Sequence, residues 1–149
     1  MRLFNQNTKV EALKKAPLFQ GLSKKELTEL ARQSEDLEVP AGHVLTKEGD
    51  TGQEFFVIVE GMTDVTVKGK SLGERGAGEF LGEIALLEDT PRTATIRTRS
   101  ECLFLTLSRE HFLRLLDETP HVRSAFERVA RDRMKQQKEL AAAEDVPDV

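Results

Sequence analysis

Several things are scarce in this chain, and each scarcity removes a class of function. There is one cysteine, Cys102, so no disulfide can form within the chain. A lone thiol in the apolar run Cys102-Leu103-Phe104-Leu105 reads as a packed core residue in a reducing compartment. No apolar stretch approaches the ~20 residues of a membrane span. The start, Met1-Arg2-Leu3-Phe4, turns polar at once, unlike a secretory leader, so a cytoplasmic, soluble chain is expected. Basic charge is not in excess: 22 Lys and Arg face 26 Asp and Glu, a net charge of −4, too little positive field to recruit nucleic acid or membrane. His43, His111 and His121 have neither metal-ligand spacing nor a Cys partner. Gly76, Gly78 and Gly82 do not make the spacing of a dinucleotide-binding loop. No serine-nucleophile motif is present. An enzyme, a metal and a cofactor are therefore not expected.

What is present suits one domain. The 149 residues are 38% hydrophobic and include 10 glycines, enough for one real core. Residues 1–15 are mixed and charged, with Val10 and Leu13 on one side of a possible helix. Ser23 followed by Glu26 is a capping box that predicts a helix from Ser23, with Leu27, Leu30 and Ala31 as its apolar face. From Asp36 to Leu107 short strands alternate with turns: Leu37–Val39, Val44–Lys47, Glu54–Val59, Met62–Lys68, Ala94–Thr98 and Cys102–Leu107. Such spacing predicts a sandwich or barrel. Phe55 to Val59 is apolar on both faces and should be a central strand. Helices then follow from Ser108 and from Thr119-Pro120, the second with a hydroxyl at the cap and proline in the first turn. That last helix carries Val122, Phe126 and Val129 on one stripe, and Arg133 falls on the same stripe. An arginine there needs a partner or must reach water along its stem.

The chemistry concentrates in Phe80-Leu81-Gly82-Glu83-Ile84-Ala85-Leu86-Leu87, the loop Glu88 to Pro91, and Arg92-Thr93-Ala94-Thr95. Gly78 and Gly82 allow tight turns and a close backbone approach. Ile84 to Leu87 suit one short helical turn whose first N–H groups can face an anion. The Arg92 guanidinium can hold a phosphate through two parallel hydrogen bonds. The Glu83 carboxylate is acceptor-only and suits hydroxyl groups. One carboxylate, one arginine and a nest of amides describe a site for a sugar phosphate.

The segment FLGEIALLEDTPRTAT resembles the phosphate-binding cassette of cyclic-nucleotide-binding domains, which occur in the catabolite activator protein, kinase regulatory subunits and cyclic-nucleotide-gated channels. The match keeps Gly82, Glu83, Ala85, Leu86, Arg92, Thr93 and Ala94, with Leu81 where Phe is usual. Glu48-Gly49-Asp50-x-Gly52 and Phe55-Phe56-Val57-Ile58-x-x-Gly61 are similar to the family as well, with Gln53 for a common Asp and Phe56 for a common Tyr. The resemblance runs from about Leu18 to Leu140, nearly the whole chain, and implies a stand-alone cyclic-nucleotide-binding module.

It implies an α+β, mainly β fold: an eight-stranded antiparallel jelly-roll β-barrel with flanking N-terminal and C-terminal helices. Residues 1–17 would be an N-terminal segment, 18–140 the binding domain with a lid helix over 120–140, and 141–149 a flexible acidic tail. Glu83 would accept from the ribose 2′-hydroxyl and Arg92 would pair with the cyclic phosphate. Backbone N–H groups of Gly82, Ala85 and Thr93 would complete the cradle, with Ile84 and Ala94 also in the ligand site, Val65 and Leu81 would line the base pocket, and Arg133 with Met134 would close over the base. The ligand would be cyclic AMP in preference to cyclic GMP, although Thr93 offers a bond to a guanine amino group. Signalling would run through the last helix to a protein partner of unknown identity, with no room after that helix for a DNA-reading unit. The oligomeric state stays open, as do two other readings: a docking subunit that binds no nucleotide, and a piece of a larger regulator.

Overall fold

Local signals place the helices. In the computed structural model, which describes residues 5–144, Asn5 caps α1 (Gln6–Lys15) by accepting from the Thr8 amide. The capping box forms at α2 (Lys24–Gln33): Ser23 Oγ accepts from the Glu26 amide at 3.1 Å, and Glu26 Oε1 accepts from the Ser23 amide at 2.9 Å. Ser108 caps α4 (Arg109–Glu118) by accepting from the His111 amide. Pro120 opens the long helix α5 (Pro120–Glu144), but the cap differs from expectation. The buried Thr119 hydroxyl donates back to the Leu115 carbonyl at the end of α4. It is the Thr119 carbonyl that receives the first amides of α5, from Val122 and Arg123. α5 continues past residue 140, so residues 141–144 are helical; the remainder of the expected acidic tail, from residue 145, lies outside the described residues.

Eight strands are described: β1 (Glu35–Val39), β2 (Val44–Thr46), β3 (Glu54–Glu60), β4 (Met62–Val67), β5 (Lys70–Gly76), β6 (Phe80–Leu81), β7 (Thr95–Thr98) and β8 (Cys102–Ser108). They form two four-stranded antiparallel sheets in the orders β1-β8-β3-β6 and β2-β7-β4-β5. The expected closed barrel is therefore not formed as one ladder among the described residues. The edge strands β2 and β6 are only three and two residues long, so hydrogen bonding ends there and side chains join the sheets instead. β5 and β6 had no clear signal in the sequence. β5 reads Lys-Ser-Leu-Gly-Glu-Arg-Gly, with one large apolar residue and little β-propensity. It forms because Lys68 and Gly69, both with positive φ, turn the chain back along β4 as a hairpin.

β3 is interior to its sheet, between β8 and β6, and it divides the core. Phe55 and Val57 face a core built with α1, α2, α4 and α5. Phe56 and Ile58 face the other sheet, packed with Val65, Leu81, Ile96 and Phe104. With no Trp or Tyr in the chain, phenylalanine supplies all aromatic packing, and each described Phe is buried. Phe55 stacks on Phe112 at 3.9 Å between ring centroids, Phe112 meets Phe126 edge-on at 4.8 Å, and Phe126 lies 5.6 Å from Phe80. This cluster ties α5, through Phe126, to α4, β3 and β6. α1 shares the same core through the fully buried Leu13.

Truncating this cluster should be costly. Phe126→Ala is expected to destabilise the chain by about 3–5 kcal/mol. The check is the urea midpoint, which should fall with little change in slope.

Candidate functional site

Arg92 has no regular element to hold it; the loop between β2 and β3 does so instead. Its amide donates to the Asp50 carbonyl at 2.8 Å, and its carbonyl accepts from the Gly49 amide at 2.9 Å. The side chain then runs inward and is buried, 7% exposed. Nη2 donates to the Glu54 carbonyl at 2.9 Å and Nη1 to the Gly82 carbonyl at 3.3 Å. The guanidinium lies 5.7 Å from the Phe56 ring centroid. Two carbonyls fix its plane and leave other N–H groups of its five free to meet an anion. Burial pushes its pKa down, and the Glu54 and Glu83 carboxylates oppose that shift.

Two glycines make room for it. A Cβ on Gly52 would stand 2.1 Å from Arg92 Nε and 2.5 Å from Cζ. A Cβ on Gly82 would stand 2.6 Å from Arg92 Nη1 and 2.9 Å from the Glu54 carbonyl oxygen. Gly82 also takes φ +86°, which a side chain disfavours, as it begins the short helix α3 (Glu83–Glu88).

Glu83 opens α3 and is 5% exposed. Its partner comes from the far end of the chain. Arg133 Nη1 lies 2.8 Å from Glu83 Oε1 and donates to the Phe80 carbonyl at 2.7 Å. The Arg133 guanidinium sits 4.6 Å above the Phe80 ring centroid. Its side chain is 12% exposed, so it turns inward to a carboxylate and does not run out to water.

One cleft collects these groups. Val65, Leu81, Gly82, Glu83, Ile84, Ala85, Arg92, Thr93, Ala94 and Arg133 all line it. Its free volume is about 40 Å³, room for a few waters. Met134, expected to face it, does not; it is half-buried elsewhere on α5. Helical geometry accounts for this placement: Gln136 and Gln137, three and four residues past Arg133, share its face and line the cleft, whereas the adjacent residue is turned about 100° away. The sequence reading also passed over Thr46, Leu72, Arg75 and Ile96 as lining residues, and Gly52 as the position that admits Arg92. The helical spacing from Arg133 would have found the glutamines. Arg75 lies on β5, the strand without a clear signal.

With this geometry in view, comparison with known proteins defines the class. The Cyclic nucleotide-binding domain profile matches residues 36–119. The chain belongs to the cyclic nucleotide-binding domain family, a family of ligand-binding regulatory domains and not of enzymes. It is 36% identical over 117 residues to a cyclic nucleotide-gated potassium channel of Rhizobium etli, covering 78% of this chain and 33% of that protein. It is 31% identical over 112 residues to a cAMP-dependent protein kinase regulatory subunit of Emericella nidulans, covering 74% and 27%. Among solved structures, cAMP-bound PfPKA-R superposes with a TM-score of 0.85 at 25% identity, covering 91% of this chain and 47% of that one. The chain thus spans about a third or less of these two curated relatives. Among the described residues no helix is long and apolar enough to cross a membrane.

The packing around Arg92 generates a test. Gly52→Ala should leave the chain folded, because Arg92 can swing aside, but the guanidinium would lose its present seat. Affinity for cyclic AMP, read by calorimetry, is expected to fall about tenfold or more, the scale of one charge-assisted hydrogen bond. The far-UV circular dichroism should not change.

Proposed function

We propose that the cleft binds a purine 3′,5′-cyclic nucleotide, cyclic AMP ahead of cyclic GMP, and that α5 reports occupancy to a protein partner. The observation that carries this reading is the shared burial of one guanidinium and one carboxylate at either side of Gly82, each oriented by backbone carbonyls or an ion pair. Arg92 holds the cyclic phosphate, with amides of Gly82, Ile84, Ala85, Thr93 and Ala94 around it. Glu83 accepts from the ribose 2′-hydroxyl. Val65 and Leu81 contact the base. The cyclic-AMP-bound relative in the same fold supports cyclic AMP as the ligand. The two sheets are read as the halves of a jelly roll, and the single buried thiol suits a cytoplasmic setting.

Glu83 links ligand and lid. Arg133 engages Oε1, and a carboxylate with two oxygens retains acceptor capacity for a hydroxyl. The free volume of about 40 Å³ is far below the roughly 300 Å³ of small ligand sites, so α5 must yield for a nucleotide to enter. Entry and closure therefore bias a two-state helix.

Calorimetry on the full chain should give micromolar or tighter binding of cyclic AMP, about −8 kcal/mol. Arg92→Ala is expected to cost on the order of 2–5 kcal/mol of that. Arg92→Lys should recover only part, because an ammonium cannot fork. Flat titrations with both nucleotides at millimolar concentration would reject the function.

Arg133→Ala should raise the nucleotide dissociation rate and leave association nearly unchanged, since the cassette makes the first encounter. It should also shrink the ligand-dependent difference in hydrogen exchange over residues 120–138. Unaltered dissociation with equal protection of α5 in both states would remove the lid from the mechanism.

A further inference from the structure

The cleft contains a third guanidinium that the phosphate and ribose contacts do not use. Arg75 lines the same cleft from β5, opposite α5. Its place is set by pairing. In the ladder with β4, Gly73 faces Val65 and Arg75 faces Thr63, so Arg75 and Gly73 lie on one face of the hairpin with those two buried residues. Gly73 has no side chain, and a Cβ there would stand 3.7 Å from Arg75 Nη1. The guanidinium thus lies along the gap beside Val65, the position read as contacting the base. The Thr63 hydroxyl holds this turn of strand by donating to the Arg75 carbonyl at 3.0 Å.

Arg75 is half-buried and has few fixed partners for a guanidinium. Its one side-chain hydrogen bond among the described residues runs from Nη1 to the carbonyl of Glu74 at 2.9 Å, and it makes no ion pair there. Burial pushes its pKa below the ordinary arginine value, and the nearby Arg133 charge adds to this, while Glu79 and Glu83 oppose it. A guanidinium carries five donors and no acceptor. The other polar groups at this end, Gln136 and Gln137, carry both donor and acceptor and can turn either way. Arg133, the other donor-only group of the cleft near Arg75, is already engaged with Glu83 and the Phe80 carbonyl, which leaves Arg75 as the guanidinium whose preference can act on a base.

That preference selects among purines. A 6-oxopurine presents two adjacent acceptors, N7 and O6, which a guanidinium can bridge; adenine presents N7 beside the N6 amino donor. Resting on the reading of this cleft as a cyclic-nucleotide site, we infer that Arg75 is a base-reading residue that lends affinity to 6-oxopurine cyclic nucleotides and so narrows the preference for cyclic AMP.

The test uses three probes on the full chain: cyclic AMP, cyclic GMP and inosine 3′,5′-cyclic monophosphate. The inosine nucleotide keeps N7 and O6 but lacks the 2-amino group that Thr93 could read, so it isolates the Arg75 contact. Arg75→Leu should weaken the inosine and guanosine nucleotides by about 5- to 150-fold, the range of one bidentate base contact. Cyclic AMP should change by less than about twofold on the same scale. Arg75→Lys keeps the charge without the fork and should lose most of the same selectivity, which separates base reading from a general field and serves if the leucine variant folds poorly. If all three nucleotides bind the wild-type chain and both variants leave their ratios unmoved, Arg75 is not a base reader although the site stands. If none binds the wild-type chain, the underlying reading fails and Arg75's role falls with it.

Discussion

The ion pair between Glu83 and Arg133 is the contact on which the rest of the arrangement depends. It joins the first residue of α3 to the middle of α5, with both side chains almost withdrawn from water. Burying two charges carries a desolvation cost that their attraction can only just offset, so such a pair adds little net stability. Its effect is directional. Removing either partner strands the other charge, at about 3–5 kcal/mol, so α5 is held in the one register that brings Arg133 to Glu83. The Phe80 carbonyl and ring complete the seat beneath the guanidinium.

The aromatic cluster determines how that contact can move. Phe126, two turns earlier on α5, is fully buried against Phe80, Phe55 and Phe112. The first half of the helix is thereby fixed to the core, whereas none of residues 134–142 is buried. The boundary between the anchored and the solvated part falls at the cleft. Phe80 touches Arg133 and Phe126 at once and so joins the ion pair to the aromatic cluster.

Much of this was legible in the chain because the signals were local. The capping box at Ser23, the serine cap of α4, the two-faced strand from Phe55 and the short helix after Gly82 each sit within a few residues of the pattern that announces them. Arg133 was marked as an arginine on an apolar stripe, but its partner was not, since nothing local connects residues 83 and 133. β5 escaped notice because its glycines and charges have no strand pattern of their own; the hairpin turn and β4 impose one. Arg75 was lost with it. Met134 and the two glutamines were exchanged through adjacency in sequence, where the helix rule of three and four applies. The division into two sheets depends on where hydrogen bonding stops at two very short strands, which no composition reveals.

The central claim is that one carboxylate serves both ligand and lid, and a double-mutant cycle on cyclic AMP affinity measures it. The variants are Glu83→Gln, Arg133→Ala and the pair, each titrated by calorimetry with far-UV circular dichroism to confirm folding. If Glu83 couples the ribose to α5, the double variant should lose less than the sum of the single losses, by about 0.5–3 kcal/mol. Strict additivity would mean that the two residues act independently, and would contradict the coupling of ligand to lid through Glu83.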